Sequence, residues 1–313
     1  MTERDLVLGA MYFGTRVDDA TSMALLDRFV DRGGTWIDTA NCYAFWSDPS
    51  GVGGQSETVI GRWLATRPGV RDRVQISTKV RLQPTVAGRW PESAEGLSAP
   101  AIRDAVRKSL SRLGTDRIDF YWAHAEDRTV PLAETVDAFG ELVSAGLVGQ
   151  VGASNHPAWR VERARRLARD RGVSGYTALQ LRHSYVQPRP GASLPDTGHQ
   201  LVSAEILDYV SSEGDLALWV YTPLINGSYT RPDRPLPEAY DHPGTTRRLA
   251  ALGSVAGEIG ATPNQVVLAW LLGGDPAITP IVGVSTAEQL DETMAARDLI
   301  LTDEQRRRLN EVS

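Results

Sequence analysis

Short apolar runs alternate with amphipathic segments from one end of the chain to the other. Apolar runs at 6–13, 35–38, 74–80, 118–123, 148–153, 177–181, 216–222 and 277–284 predict strands. Their apolar residues are continuous rather than alternating, which is the pattern of strands buried on both faces of a parallel sheet. Between them, helical spacing runs over 18–32, 56–65, 101–113, 132–145, 157–171, 204–213, 245–259, 263–272, 286–296 and 302–312. Start and stop signals frame these segments. Asp18 and Asp19 stand in the first turn of the first helix and Gly33 at its end, Ser56 is placed as an N-cap, Pro157 opens a helix, and Gly114 and Gly146 close two others.

Eight strand–helix units in one chain place the protein in the α/β class and close most simply into a (β/α)8 TIM barrel. A doubly wound open sheet is the other architecture this order allows. No fixed-period repeat and no low-complexity linker interrupts the alternation, so 1–313 reads as a single domain. Four connections, 44–55, 81–100, 187–202 and 224–244, are long, and each follows a strand. In a barrel they lie together at the C-terminal face, where active sites are built. They carry Trp46, Trp90, Tyr229 and Tyr240, which points to loops that grip a substrate. Trp46, Trp90, Trp122 and Tyr229 suggest an apolar or sugar-stacking pocket.

Composition narrows the function classes. The chain has 313 residues and a formal net charge of -6, with no block of like charge. Nucleic acid and anionic membranes are therefore poor partners. Cys42 is the single cysteine, which excludes an intrachain disulfide and a cysteine-based zinc site. With no base placed for it by any motif, Cys42 reads as an inert small hydrophobe. His156, His183, His199 and His242 show no metal spacing, so no metal is expected. The N-terminal stretch carries charges where a signal peptide needs an apolar run, and no stretch is long enough to span a bilayer. A cytoplasmic location is expected.

The candidate chemistry sits at strand ends. GGTWIDTANCY puts Asp38 and Tyr43 just past the second strand; VQISTKV puts Lys79 in the third; His124 follows the fourth; Ser154 and Asn155 follow the fifth; Gln180 lies in the sixth. Taken singly these are ordinary residues: a solvated loop acid, a core histidine, strand polarity. In a barrel they converge on one mouth. A lysine inside an apolar strand needs a paired charge, and Asp38 is the partner the sequence offers. A lysine beside a tyrosine favours the phenolate and lowers the phenol's pKa, and His124 can donate to the same oxygen. Such a group exchanges a proton with a small oxygen.

These motifs resemble the aldo-keto reductase family over nearly the whole chain. GGTWIDTANCY, GGQSETVIGRWL, VQISTKV, RKSLSRLGTDRIDFYWAHAED, GLVGQVGASNH, YTALQ, VYTPL and PIVGVSTAEQLDET stand in the family's order. The pattern GVSTAEQL resembles the branch containing potassium-channel β subunits and bacterial sugar or aldehyde reductases. The resemblance implies a barrel that binds a nicotinamide cofactor in extended form, NADPH by family preference, and reduces an aldehyde or ketone. A keto sugar, a simple aldehyde and a polyketide ketone all remain open as substrates. It implies a catalytic tetrad of Asp38, Tyr43, Lys79 and His124, with Tyr43 as general acid. Ser154, Asn155 and Gln180 match residues that hold the nicotinamide carboxamide, and Tyr221 the aromatic that stacks on its ring. Thr222, Pro223 and Leu224 match the stretch along the pyrophosphate; Gly283, Ser285, Gln289 and Glu292 match the adenosine end. A cofactor-binding regulatory subunit is the alternative, and the histidine at 124 argues against it, since the channel subunits depart from histidine there.

Three departures stand out. The hairpin that commonly plugs the barrel's bottom looks shortened or absent, which leaves the C-terminal helix to cover that end. His183 replaces a frequent tyrosine. Gly283 and Gln289 stand where some members place a lysine and an arginine on the 2′-phosphate, and Thr293 replaces a usual asparagine. Arg247 or Arg248 could supply charge there instead.

Overall fold

The computed structural model describes residues 5–192, 194 and 198–311. Eight parallel strands close into a barrel in sequence order: β1 (Val7–Gly9), β2 (Trp36–Asp38), β3 (Gln75–Val80), β4 (Ile118–Ala123), β5 (Val148–Ser154), β6 (Tyr176–Arg182), β7 (Ala217–Tyr221) and β8 (Ile278–Gly283). β8 pairs back onto β1 at Val7–Ile281 and Gly9–Gly283. The helices are α1 (Asp19–Asp31), α2 (Gln55–Ala65), α3 (Ala99–Leu113), α4 (Leu132–Ser144), α5 (Ala158–Arg171), α6 (Ala204–Ser212), α7 (Pro243–Ile259), α8 (Pro263–Leu272), α9 (Ala287–Ala295) and α10 (Asp303–Asn310). The open sheet is thereby excluded. The predicted strand 6–13 is only three residues long, and Phe13 instead bridges to Val17.

Among the described residues, six of the ten helices start on a side-chain cap, and α2, α4, α5 and α7 do not. Asp18, Ser98, Ser203, Thr262, Thr286 and Thr302 each accept a first-turn backbone N–H. Ser56 does not cap α2: Gly54, with φ 118°, stands at its N-cap. The Ser56 hydroxyl is buried and donates to the Ala10 carbonyl at 2.7 Å, tying α2 to the end of β1. The predicted loop 187–202 reaches beyond the described residues at 193 and 195–197, and the last predicted helix does so at Val312.

The barrel interior is filled by aromatic side chains. Val7, Trp36, Phe120, Trp122, Ala178, Trp219 and Ile281 pack together inside it. Phe120 stacks on Trp122 with centroids 4.3 Å apart, and Trp36 meets Trp219 edge-on at 5.2 Å. Gly152 makes the room, since a Cβ there would lie 2.5 Å from Trp122 and 2.6 Å from Phe120. Trp36 is the first residue of β2, so these rings also close the strands' N-terminal end. The C-terminal helix does not take that position. α10 packs against α7, where Gln305 and Arg308 bond Glu258, and its Arg306 donates to the last turn of α8. Trp122 is accordingly a core residue and no part of a substrate pocket.

Candidate active site

Three neighbouring strands bring the central charges together. The register aligns Asp38 of β2 with Ser77 of β3, and Lys79 follows Ser77 by two residues, so both side chains of β3 face the same side. Lys79 Nζ bonds Asp38 Oδ2 at 2.5 Å and the Thr39 carbonyl at 2.7 Å, with both charged side chains buried. The other carboxylate oxygen, Asp38 Oδ1, accepts from Ser77 Oγ at 2.7 Å. Ser77 in turn accepts from the Trp122 indole N–H at 2.6 Å. The core ring stack therefore fixes the acid that fixes the lysine. Sequence reasoning missed Ser77, which its two-residue spacing to Lys79 could have marked; nothing in the sequence marks the indole at its back.

Tyr43 lies over this pair. Lys79 Nζ is 4.8 Å from the centre of the Tyr43 ring, and the His124 ring is 5.6 Å away edge-on. The lysine does not make the phenol acidic here. Burial, with the Asp38 carboxylate adding to it, pushes Tyr43 well above the ordinary phenol range. Burial also draws Lys79 down, against the pull of Asp38. His124 follows β4 and its backbone N–H bonds the Val80 carbonyl. Burial, with Lys79 next, holds its imidazole well below the ordinary value, so the ring is neutral and keeps one N–H. Cys42 Sγ lies 3.7 Å from His124 Nδ1, and burial pushes that thiol up, which keeps it protonated.

The remaining strand-end residues surround the same mouth. Asn155 has φ 56°, and its amide donates to the His124 carbonyl at 3.1 Å while its Oδ1 accepts from the Tyr221 hydroxyl at 2.7 Å. His199 Nδ1 meets the same Tyr221 hydroxyl. The Tyr221 ring is thus pinned at the end of β7, with the His199 ring tilted against it at 5.2 Å. Ser154 is buried behind Asn155, and Gln180 reaches Asp38 Oδ1 at 3.4 Å. Beyond β7, Thr222, Ile225 and Asn226 take left-handed backbone angles, a strained turn that includes Pro223 and Leu224. Pro223 is anchored through its carbonyl, which accepts from Ser184.

At the end of β8, Gly283 is exposed and Ser285 donates through both N–H and hydroxyl to Gln289 Oε1. That leaves the Gln289 amide nitrogen, at the start of α9, without a hydrogen bond among the described residues. Glu292 faces away from this turn and bonds Thr262 at 2.6 Å. The cations paired with α9 are Arg28 and Arg32 of α1, both on Asp291, rather than Arg247 or Arg248. Arg248 lies against Tyr185 beyond β6, and Arg247 is exposed on α7. His183 stacks on Trp270 at 5.9 Å and so packs into the helix layer. Tyr229 and Tyr240 are likewise structural: the Tyr229 hydroxyl bonds Ser184 and the Val186 N–H, and Tyr240 is buried.

An aromatic wall rises from the first two long loops. Trp46 meets Tyr43, Tyr12 and Phe45 edge-on at 6.1, 6.5 and 5.0 Å, and Phe45 meets Trp90 at 5.3 Å. Trp46 and Trp90 remain 45% and 41% exposed, large apolar surface beside the phenol. Sequence reasoning missed Glu95, which accepts from the Asn41 amide and from the Arg81 N–H at 2.9 Å and so ties the second loop to the first. No local pattern marks an acid in a loop of that length.

The comparisons with known proteins agree with this geometry. The sequence model described as Aldo/keto reductase family matches residues 5–313. The chain is 30% identical over 317 residues to the uncharacterized oxidoreductase YrpG of Bacillus subtilis, covering 98% of this chain and 91% of the relative. It is 32% identical over 314 residues to the norsolorinic acid reductase stcV of Emericella nidulans, covering 96% and 76%. It is 30% identical over 287 residues to the aryl-alcohol dehydrogenase GME11368 of Pestalotiopsis microspora, covering 90% and 69%. Among the described residues no helix is long and apolar enough to cross a membrane. A closed eight-stranded barrel, a buried acid–lysine pair beneath a tyrosine and a histidine, and these matches together place the chain in the aldo/keto reductase family, as an NAD(P)H-dependent oxidoreductase.

Proposed function

We propose that this enzyme reduces an aromatic aldehyde or ketone to the alcohol with NADPH, with Tyr43 as the general acid, in one barrel unit of the cytoplasm. The observation that carries the reading is the Tyr43 phenol set among the buried Asp38–Lys79 pair, neutral His124 and the exposed rings of Trp46 and Trp90.

The fit to a nicotinamide cofactor rests on the C-terminal face. Tyr221 offers a pinned ring at β7, Ser154 offers a hydroxyl at β5 beside Asn155, and the start of α9 offers the positive end of a helix dipole for an anion. The cofactor, when bound, supplies the hydride. Tyr43 stays protonated across the working range because its pKa is raised, so it carries a proton to give. As that proton leaves, the ammonium of Lys79 beside the ring stabilises the developing phenolate. Asp38 holds the ammonium in place and lets it remain charged while buried. The neutral His124 donates its N–H to the carbonyl oxygen and orients it towards Tyr43.

The aromatic wall favours flat substrates, in keeping with the norsolorinic acid and aryl-alcohol names of two relatives. Preference for NADPH is supported by the Gln289 amide nitrogen at the start of α9, since both Ser285 donors are already given to Gln289 Oε1, and without a bidentate arginine the preference is modest. The test is a panel of aromatic, aliphatic and sugar carbonyl compounds followed by loss of NADPH absorbance, with dissociation constants for NADPH and NADH measured by fluorescence quenching. Fastest turnover on the aromatic members and tighter NADPH binding support the reading; no turnover on any carbonyl overturns it.

A further inference from the structure

Arg81 directly follows β3, two residues beyond Lys79, and takes φ 118°, a left-handed backbone that a side chain adopts only under constraint. Its backbone is held by Glu95 Oε1, which accepts its N–H at 2.9 Å. Its guanidinium is not held. Among the described residues it makes no hydrogen bond or ion pair, and its Nε is buried without an acceptor. Other arginines around the barrel are tied: Arg112 to Glu57 at 3.0 Å, Arg165 to Asp215 at 2.6 Å, Arg160 to the Asp127 carbonyl at 2.7 Å. Arg160 and Arg165 also leave Nε without an acceptor, so what sets half-buried Arg81 apart is that its other nitrogens have no partner among the described residues either, and a donor left so in a native site calls for an explanation.

Arg81 stands at the mouth, because it follows β3 two residues beyond Lys79. Its charge is felt by His124 and by Asp127, both beyond β4. Neither acid in the neighbourhood takes the guanidinium. Glu95 bonds the Arg81 backbone and the Asn41 amide, and Asp127 is occupied by the Leu97 N–H at 2.9 Å and by Thr129. The groups matched to the cofactor come from β5 to β8, so an anion beside β3 and β4 belongs to the substrate instead.

We infer that Arg81 is a specificity residue whose guanidinium binds an oxyanion of carboxylate type carried on the substrate near its carbonyl group. This rests on the reading of Tyr43 and His124 as the carbonyl site. Strain at Arg81 then serves to aim the side chain, and Glu95 serves to hold the strained backbone.

The experiment compares the three positional isomers of carboxybenzaldehyde with the three tolualdehydes, which have a methyl group in place of the carboxylate. The wild-type enzyme is expected to favour at least one carboxylate isomer over its methyl counterpart through a lower KM. In Arg81→Gln that ratio of kcat/KM falls by about 10- to 100-fold, the scale of a hydrogen bond to a charged group, and the loss lies in KM. Arg81→Lys recovers part of it, as a point charge without the planar fork. A wild-type enzyme that reduces tolualdehydes without favouring any carboxylate contradicts the assignment alone. So does an Arg81→Gln variant that loses equally on both series. No NADPH oxidation with any of the six sinks the carbonyl reading itself, and Arg81's role with it.

Discussion

Lys79 Nζ and Asp38 Oδ2 stand 2.5 Å apart with both side chains shut away from solvent. Neither charge has another of opposite sign in its shell, because the remaining partners are the Thr39 carbonyl, Ser77 and Gln180. Removing one partner strands the other, which typically costs about 3–5 kcal/mol for a buried pair. We therefore expect Lys79→Met and Asp38→Leu each to destabilise by that order. The double variant should lose clearly less than the sum. Additive losses in a double-mutant cycle by chemical denaturation would show that the two charges are held independently.

Gly152 lies beneath the Phe120–Trp122 stack, where an added Cβ would meet both rings at under 3 Å. Gly152→Ala is expected to destabilise by about 1–3 kcal/mol through overpacking. Because Trp122 donates to Ser77, which donates to Asp38, turnover should fall as well. Wild-type stability in this variant would mean that the barrel interior has slack that the ring stack does not suggest.

His156 and His183 are buried, and burial draws both imidazoles down to about 4 from an ordinary 6.5. Below about 6.5 the unfolded chain takes up protons that these folded rings refuse. Stability present above that pH is therefore lost as pH falls towards about 4, by up to about 3 kcal/mol per ring. Urea midpoints at pH 7.5 and 5.0 should differ accordingly, and His183→Asn should shrink the difference. Equal midpoints for the wild type would contradict it.

Much of this fold was legible because each strand reads as an apolar run and several helices carry a start or stop signal, as at Asp18, Gly114, Gly146 and Pro157. Asp38, Lys79 and His124 could be placed because a barrel sends every strand end to one face. Contacts between distant loops were not legible. Ser56 carries the signature of a cap, yet its hydroxyl serves Ala10, and a glycine with positive φ takes the cap. The aromatic residues show the same limit. Trp46, Trp90, Trp122 and Tyr229 look alike in sequence, but Trp122 fills the barrel and Tyr229 braces a turn. The direction of the Tyr43 shift was also beyond the sequence, since proximity to Lys79 was readable and the depth of burial was not.

The central claim is that Tyr43 donates the proton to a carbonyl oxygen. The direct measurement is kcat of Tyr43→Phe on an aromatic aldehyde, alongside the NADPH dissociation constant of the same variant. Loss of a positioned general acid predicts a fall of about 10²–10⁴ in kcat with cofactor affinity nearly unchanged. Turnover at the wild-type rate, in a variant that binds NADPH normally, would contradict it.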